Sequence, residues 1–497
     1  MIEAIQDIID RRRGNGIYAG HGHIDILKKK KEDILRIKDS LSKYAFFFSQ
    51  VQQQFKDQKG EFYFLFRNNP SIEVDLQHAS PATILSTLDS ALRELDLLEK
   101  RFDRSTINIS VIGRARQGKS RLLQSISGLS DQIIPTSDGS DCTGAKSIIC
   151  NDSNTRKTYA KIICYSEFEL MTQIQAYLDN IGINFRLGSF SQVPLLQQEV
   201  DNIEKNKMDT LSAKQISWLI HLKKYIEHYN DYVTYVGRTI EESDQNKVRD
   251  YVAQYDAKMN ATYTFLAVKE VQIYTKFPCE DVGNIVLVDT IGLGDTSIGI
   301  RDKMIKTLRE DSDAAILVRL PAATGDHIDE QDNELYDLIC KAMGEDALNQ
   351  WLFYALNVCD FLKNQNSGQA MSQAMEAQHL KYAFTKVVNC GDSKAVEEQL
   401  LVPILEHLTQ NLVMVDKNKI QRLNQILEIC YSQYVDLCNQ MSNIISETCQ
   451  SSQGGFVLFS HLYDTLNLST SLKVLNDKYH VQSIKSDAIE TEVRRIL

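Results

Sequence analysis

The residues in this 497-residue chain best suited to chemistry are Gly113-Arg114-Ala115-Arg116-Gln117-Gly118-Lys119-Ser120. Glycine, four residues, then Gly-Lys-Ser is the pattern of a phosphate-binding P-loop when a strand leads in and a helix leads out. Ile107, Ile109, Val111 and Ile112 supply the apolar strand, and residues 121–126 continue as a helix. Glycines let successive backbone amides turn toward an anion, and the helix N-terminus adds its partial positive charge. Lys119 is then expected on the β- and γ-phosphates, and the Ser120 hydroxyl on one coordination position of Mg²⁺.

Three further groups follow in the order such chemistry requires. The polar stretch 135–144 holds Thr143, placed to meet the γ-phosphate and Mg²⁺, with Thr136 as its competitor. An apolar run ending at Val288 delivers Asp289, followed by Thr290, Ile291 and Gly292. A carboxylate at the sheet's carboxyl edge suits the Mg²⁺ water shell, and Gly292 lets an amide approach the γ-phosphate. The strand 351–356 runs into Asn357-Val358-Cys359-Asp360, where the Asp360 carboxylate could accept from the ring N–H and amino group of guanine.

This ordered set resembles the GTPase branch of P-loop proteins, and within it the dynamin-like superfamily of large GTPases, over residues 105–395. Two departures stand out: Ile291 occupies a position where proline is common, and the fourth motif lacks the family's usual lysine. Arg116, fourth in the loop, is similar to the P-loop arginine of guanylate-binding proteins, which acts in cis when nucleotide domains pair. The resemblance implies GTP as substrate and Mg²⁺ as cofactor. It implies Arg116, Lys119 and Thr143 as catalytic residues, with Arg114 a rival to Arg116. Nucleotide is expected on Gly113, Arg114, Gln117, Gly118, Lys119, Ser120, Arg121, Gly292, Asn357 and Asp360, and the metal on Ser120, Thr143 and, through water, Asp289.

The elements that must position these residues read as an α/β P-loop domain. Strands are expected at 107–112, 146–150, 158–164, 284–288, 314–320, 351–356 and 384–390. Between the third strand and the strand leading to Asp289 lies a long segment, 166–276, read as a helical insertion. Ser166 and Glu169 form a possible capping box ahead of Leu170, Ile174 and Leu178, and 216–239 and 251–274 read as helices, the latter on Tyr255, Met259 and Tyr263. Residues 1–104 are read as helical, with Ile24, Leu27, Ile34, Leu35, Leu41, Tyr44 and Phe48 near one face. Ser80 is the expected cap of a second helix, with Pro81 at its first position. Residues 396–497 return to the helical period through Ile420, Leu423, Leu427, Cys430, Tyr434, Leu437 and Met441, and the resemblance implies that they pack with 1–104 as a bundle.

Composition bounds the rest. Seven prolines and 23 glycines fit a mainly helical molecule, and 66 acidic against 55 basic residues, a net charge of −11, give no global attraction to nucleic acid. No apolar run follows Arg11, Arg12 and Arg13 as in a secretory leader, and ten scattered cysteines lack metal spacing, so the cytosol and reduced thiols are expected. Lys28, Lys29, Lys30 and Lys31 with Phe46, Phe47 and Phe48 are the surface the sequence offers a membrane, for peripheral association. The leading expectation is Mg²⁺-dependent GTP hydrolysis coupled to nucleotide-domain pairing, in a homodimer or nucleotide-dependent oligomer, and to movement of the helical bundle. The alternatives are a slow switch recruiting a protein partner through 166–276, and an NTPase of relaxed base specificity.

Overall fold

The computed structural model describes residues 2–56, 80–134, 145–255, 260–278, 283–290, 298–345, 348–378 and 380–451. The chain divides into two compact units, one made of Met1–Ile9 with Arg104–Val415 and the other of Asp10–Asp103 with Asp416–Leu497. The first nine residues and 396–415 therefore group with the sheet, whereas the sequence reading assigned them to the flanking helical segments. The reason is burial: Ile5, Ile8 and Ile9 at one end, and Leu400, Leu401, Ile404, Leu405, Leu408, Leu412 and Val415 at the other, are part of the sheet unit's core.

The first unit is an α/β domain on a mixed nine-stranded sheet. Its strands are β1 (Ile107–Ile112), β2 (Lys146–Asn151), β3 (Tyr159–Cys164), β4 (Thr239–Glu242), β5 (Val268–Thr275), β6 (Ile285–Asp289), β7 (Ala314–Arg319), β8 (Leu352–Asn357) and β9 (Phe384–Val388). They lie in the order β4-β3-β5-β2-β6-β1-β7-β8-β9. From β6 through β9 all neighbours are parallel, while β2 runs antiparallel to β6. Every residue of β1, β6 and β7 is buried, as expected of parallel strands covered on both faces. Strand β3, nearer the edge, alternates exposed or half-buried residues with buried ones instead.

The segment after β3 is helical only in part. The helix Glu167–Ile181 opens with the expected capping box, in which Ser166 and the Glu169 side chain exchange hydrogen bonds with each other's backbone amides. The hydrogen bond from Lys269, reinforced by the Ser166 amide, holds the Glu169 carboxyl down at about 2. Helices Gln197–Asn206 and Ala213–Glu227 follow, and aromatic side chains including Tyr177, Phe190, Tyr225 and Tyr232 join Leu170, Leu219 and Leu222 in a core of their own. The helix expected over 216–239 ends at Glu227, and the one expected over 251–274 does not form. There, Gln245–Val252 is helical, Tyr255 bridges to Ala261, Met259 lies outside the described residues, and Val268–Thr275 is strand β5. Buried Val268, Val271, Ile273 and Thr275 include a period of two that the tyrosine spacing obscured. Insertion 166–276 thus contributes two strands to the sheet as well as helices.

The second unit is a helical bundle. His23–Lys56, Ala82–Phe102 and the part of helix Val402–Ser451 beyond Val415 share a core of Leu27, Ile34, Leu41, Leu88, Leu95, Leu98, Leu423, Leu427 and Leu437. The Ala82–Phe102 helix starts one residue later than expected: Pro81 is its cap at φ −78°, and the Ser80 hydroxyl accepts from the Ala82 amide at 3.4 Å. Arg12 donates to both Asp416 carboxylate oxygens, at 2.6 and 2.8 Å, and Arg101 joins at 3.4 Å, all three residues being buried. Among the described residues no helix is long and apolar enough to cross a membrane.

Candidate functional site

Strand β1 ends at Ile112 and the chain turns at once into residues 113–120. Gly113 has φ +150°, and a Cβ there would lie 2.6 Å from the Val318 carbonyl oxygen of β7, so the backbones meet where no side chain fits. Gly118 has φ +100°, and a Cβ would overlap the Asn357 amide. Arg116 also takes a left-handed conformation, φ +62°, which only Lys363 shares among described non-glycine residues. An L side chain there costs roughly 1–2 kcal/mol, so the loop's curvature is maintained against local preference by its surroundings. Helix Lys119–Ser127 follows directly, placing its unpaired N-terminal amides at the loop.

Those surroundings are polar and well matched on the β7 side. The Gln117 side-chain oxygen accepts from the Leu320 amide at 2.6 Å and from Arg319 Nη1 at 3.2 Å. Arg319, largely buried, also binds Asp332 at 3.0 Å and Asp326 at 3.1 Å. Arg114 Nη1 donates to Asp329 at 2.6 Å, and lies 3.5 Å from Asp332. Asp329 caps helix Glu330–Met343. Burial pushes the Asp329 carboxyl up, but the Asp332 amide and the Arg114 guanidinium together hold it below the usual carboxylate range. The Lys119 ammonium donates to the Arg114 carbonyl oxygen at 2.8 Å, on the loop itself.

On the other side stands Asp289, last residue of β6 and 3% exposed. Its Oδ1 is buried with no hydrogen-bond partner among the described residues. Burial pushes its carboxyl up to about 6, with Lys119 opposing the shift. The next residue, Thr290, donates from its hydroxyl to the Val111 carbonyl oxygen at 3.0 Å and ties this end of β6 to β1.

Asn357, at the end of β8, joins two loops. Its Nδ2 donates to the Gln117 carbonyl oxygen at 3.1 Å, and its Oδ1 accepts from the Cys390 amide at 3.0 Å. Asn364, fully buried, shapes the following turn by accepting from the Cys359 amide and donating to the Pro321 and Asn357 carbonyls. That turn presents Asp360 and Phe361 to solvent, the latter 92% exposed.

The fold therefore brings Gly113, Arg114, Gln117, Gly118, Lys119, Ser120, Asp289 and Asn357 to one end of the parallel strands, with Asp360 on the turn after Asn357. Ser120 is half-buried in the first helical turn, while Arg116 and Arg121 are exposed. Thr143, its competitor Thr136, and Gly292 lie outside the described residues. The network of Arg319, Asp326, Asp329 and Asp332 was not anticipated. Its one legible signal was the Asp329, Asp332 spacing ahead of Leu335, Leu338 and Ile339, which is a helix-start pattern.

No family model matches the chain, and no curated protein matches it. Among solved structures it is weakly similar to chains of an oligomerised bacterial dynamin pair, described as a mechanism for the long-range sensing and tethering of membranes. One match has 16% identity and a TM-score of 0.37, the other 15% and 0.35, and each covers 88% of this chain and 67% of the other.

Proposed function

We propose that the site binds and hydrolyses a nucleoside triphosphate, GTP, with Mg²⁺. The observation carrying this reading is the loop 113–120 itself: two glycines at positive φ wedged against Val318 and Asn357, opening directly into a helix, beside a buried carboxylate whose Oδ1 has no hydrogen-bond partner among the described residues. The backbone amides of the loop and the helix N-terminus take the β- and γ-phosphates. Lys119 exchanges the Arg114 carbonyl oxygen for phosphate oxygens, an interaction stronger by its charge.

The residues present fit a hydrated cation, because Asp289 Oδ1 is an acceptor without a donor among the described residues. Ser120 and Thr143 would hold Mg²⁺ directly and Asp289 through water, and the ion would supply positive charge against the negative charge of the phosphates. A water oxygen attacks the γ-phosphorus, the bond to the β–γ bridging oxygen breaks, and GDP and inorganic phosphate leave. Thr143 orders that water in this reading, and the Asp360 carboxylate accepts from guanine. In this reading the exposed Arg116 is the cation that offsets developing charge when two nucleotide domains pair, with Arg114, bound to Asp329 and close to Asp332, as its rival. Motion of the helical segments and peripheral membrane association belong to the same reading, whereas recruitment of a protein partner through 166–276 belongs to the slow-switch alternative.

The test is turnover per molecule against protein concentration, with GTP and ATP in parallel. GTP turnover rises with concentration, and Arg116→Ala removes the rise, lowering paired turnover by roughly 10³-fold or more. Equal ATP turnover that ignores Asp360→Ala would sink guanine recognition. A concentration-dependent rate retained by Arg116→Ala would sink the role of Arg116.

A further inference from the structure

The face of the sheet that carries Asp289 carries a second buried polar group. In the antiparallel pairing of β2 with β6, Ser147 lies directly opposite Asp289, with Ile148 opposite Val288 and Ile149 opposite Leu287. Directly paired residues point to the same face of a sheet, with Cβ atoms roughly 4.5–5.5 Å apart. Register extends the row across five strands: Val271 on β5, Ser147, Asp289, Val111 on β1 and Ile316 on β7. All five are buried, and Val271, Val111 and Ile316 are fully so. In this row, then, each of the two polar side chains has the other as its polar neighbour, with apolar residues on both outer sides.

Neither group is satisfied. Ser147 and Asp289 are each 3% exposed, and Ser147 Oγ and Asp289 Oδ1 both lack a hydrogen-bond partner among the described residues. An apolar residue would fill position 147 without that penalty, as Ile149 does two positions along the same face. Two adjacent buried acceptors that do not bond each other suit one donor placed between them. A water on a divalent cation is such a donor: its oxygen is committed to the ion and both hydrogens point away.

We propose that Ser147 is a positioning residue for the cation site, in which one ion-bound water donates one hydrogen to Asp289 Oδ1 and the other to Ser147 Oγ. The assignment rests on the nucleotide reading of the loop 113–120. It makes the Ser147 and Asp289 pair, rather than the carboxylate alone, responsible for ion affinity.

The experiment follows release of fluorescently labelled GDP from the full chain as MgCl₂ is titrated, with EDTA as the metal-free reference. In wild type Mg²⁺ slows release. Ser147→Ala shifts the Mg²⁺ midpoint upward by about tenfold, the lower end of what losing an outer-shell partner does to metal affinity. Ser147→Thr, which keeps the hydroxyl, stays close to wild type. Asp289→Asn shifts the midpoint further, and adding Ser147→Ala to it has little additional effect. Should Ser147→Ala fold poorly in a thermal melt, Ser147→Cys keeps the volume with a much weaker acceptor and carries the same expectation. A wild-type midpoint in Ser147→Ala or Ser147→Cys, alongside a shifted Asp289→Asn, overturns the role of Ser147 and leaves the nucleotide reading standing. Release from wild type that is indifferent to Mg²⁺, or no binding of labelled GDP, overturns both together.

Discussion

The two flanks of the loop 113–120 are built from the same kinds of residue and solve opposite problems. On the β7 side, the Arg114 and Arg319 guanidiniums meet Asp326, Asp329 and Asp332, and Gln117 is tied to the strand end. On the β6 side, Asp289 is at least as deeply buried, yet one of its oxygens has no donor among the described residues. A satisfied polar network in a low-dielectric setting is stiff, so the β7 flank behaves as a wall. An unsatisfied carboxylate raises the free energy of the unliganded protein and returns it when a donor or cation arrives. The contrast separates residues that hold the loop's shape from those that give it something to do, although all are charged or polar and none is fully exposed.

Breaking the wall has the largest expected effect. Arg319→Ala leaves Asp326 and Asp332 without their shared partner and costs about 3–5 kcal/mol of stability, read from denaturant unfolding. The opposite flank responds with the opposite sign. Because the Asp289 carboxyl rises from 3.8 to about 6 on folding, the native state takes up a proton that the unfolded chain still lacks at mildly acid pH. The burial penalty is thus fully present above about pH 7 and falls away as pH is lowered toward 3. Stability curves of nucleotide-free wild type and Asp289→Asn therefore converge or cross, their difference moving by about 3 kcal/mol in favour of wild type over that window. Gln117→Ala, which removes the acceptor for the Leu320 amide and Arg319, costs about 1–2 kcal/mol in the same assay. Arg114→Ala, a partly exposed ion pair, costs at most about 1 kcal/mol and less at high salt. A uniform response across the four would erase the distinction between the flanks.

Much of this was legible because it is local. Ile107, Ile109, Val111 and Ile112 running into Gly113, and the apolar run into Asp289, place strand, loop and carboxylate without knowledge of any distant contact. The Ser166 and Glu169 capping box is likewise a four-residue device. What escaped was set by partners far along the chain. Gln117 meets Arg319 across some two hundred residues, and Ser147 acquires significance only in register with Asp289. Strand β5 was hidden because Tyr255, Met259 and Tyr263 happened to fall at steps of four beside a stretch whose buried residues follow a strand's period. Ile5, Ile8 and Ile9 read as one more amphipathic helix, and helical periodicity does not say which core a face will join.

The register of β1 bears also on how the chain is made. Its six buried residues, Ile107–Ile112, pair with β6 and β7, neither of which has been synthesised when β1 leaves the ribosome. β6 begins roughly 180 residues later, so at about 5–20 residues per second the hexapeptide waits on the order of 10–40 s for its first neighbour. During that interval the strand that carries the loop 113–120 is an unpaired apolar segment on a nascent chain. The pace of translation through the intervening segment sets how long it needs protection from aggregation.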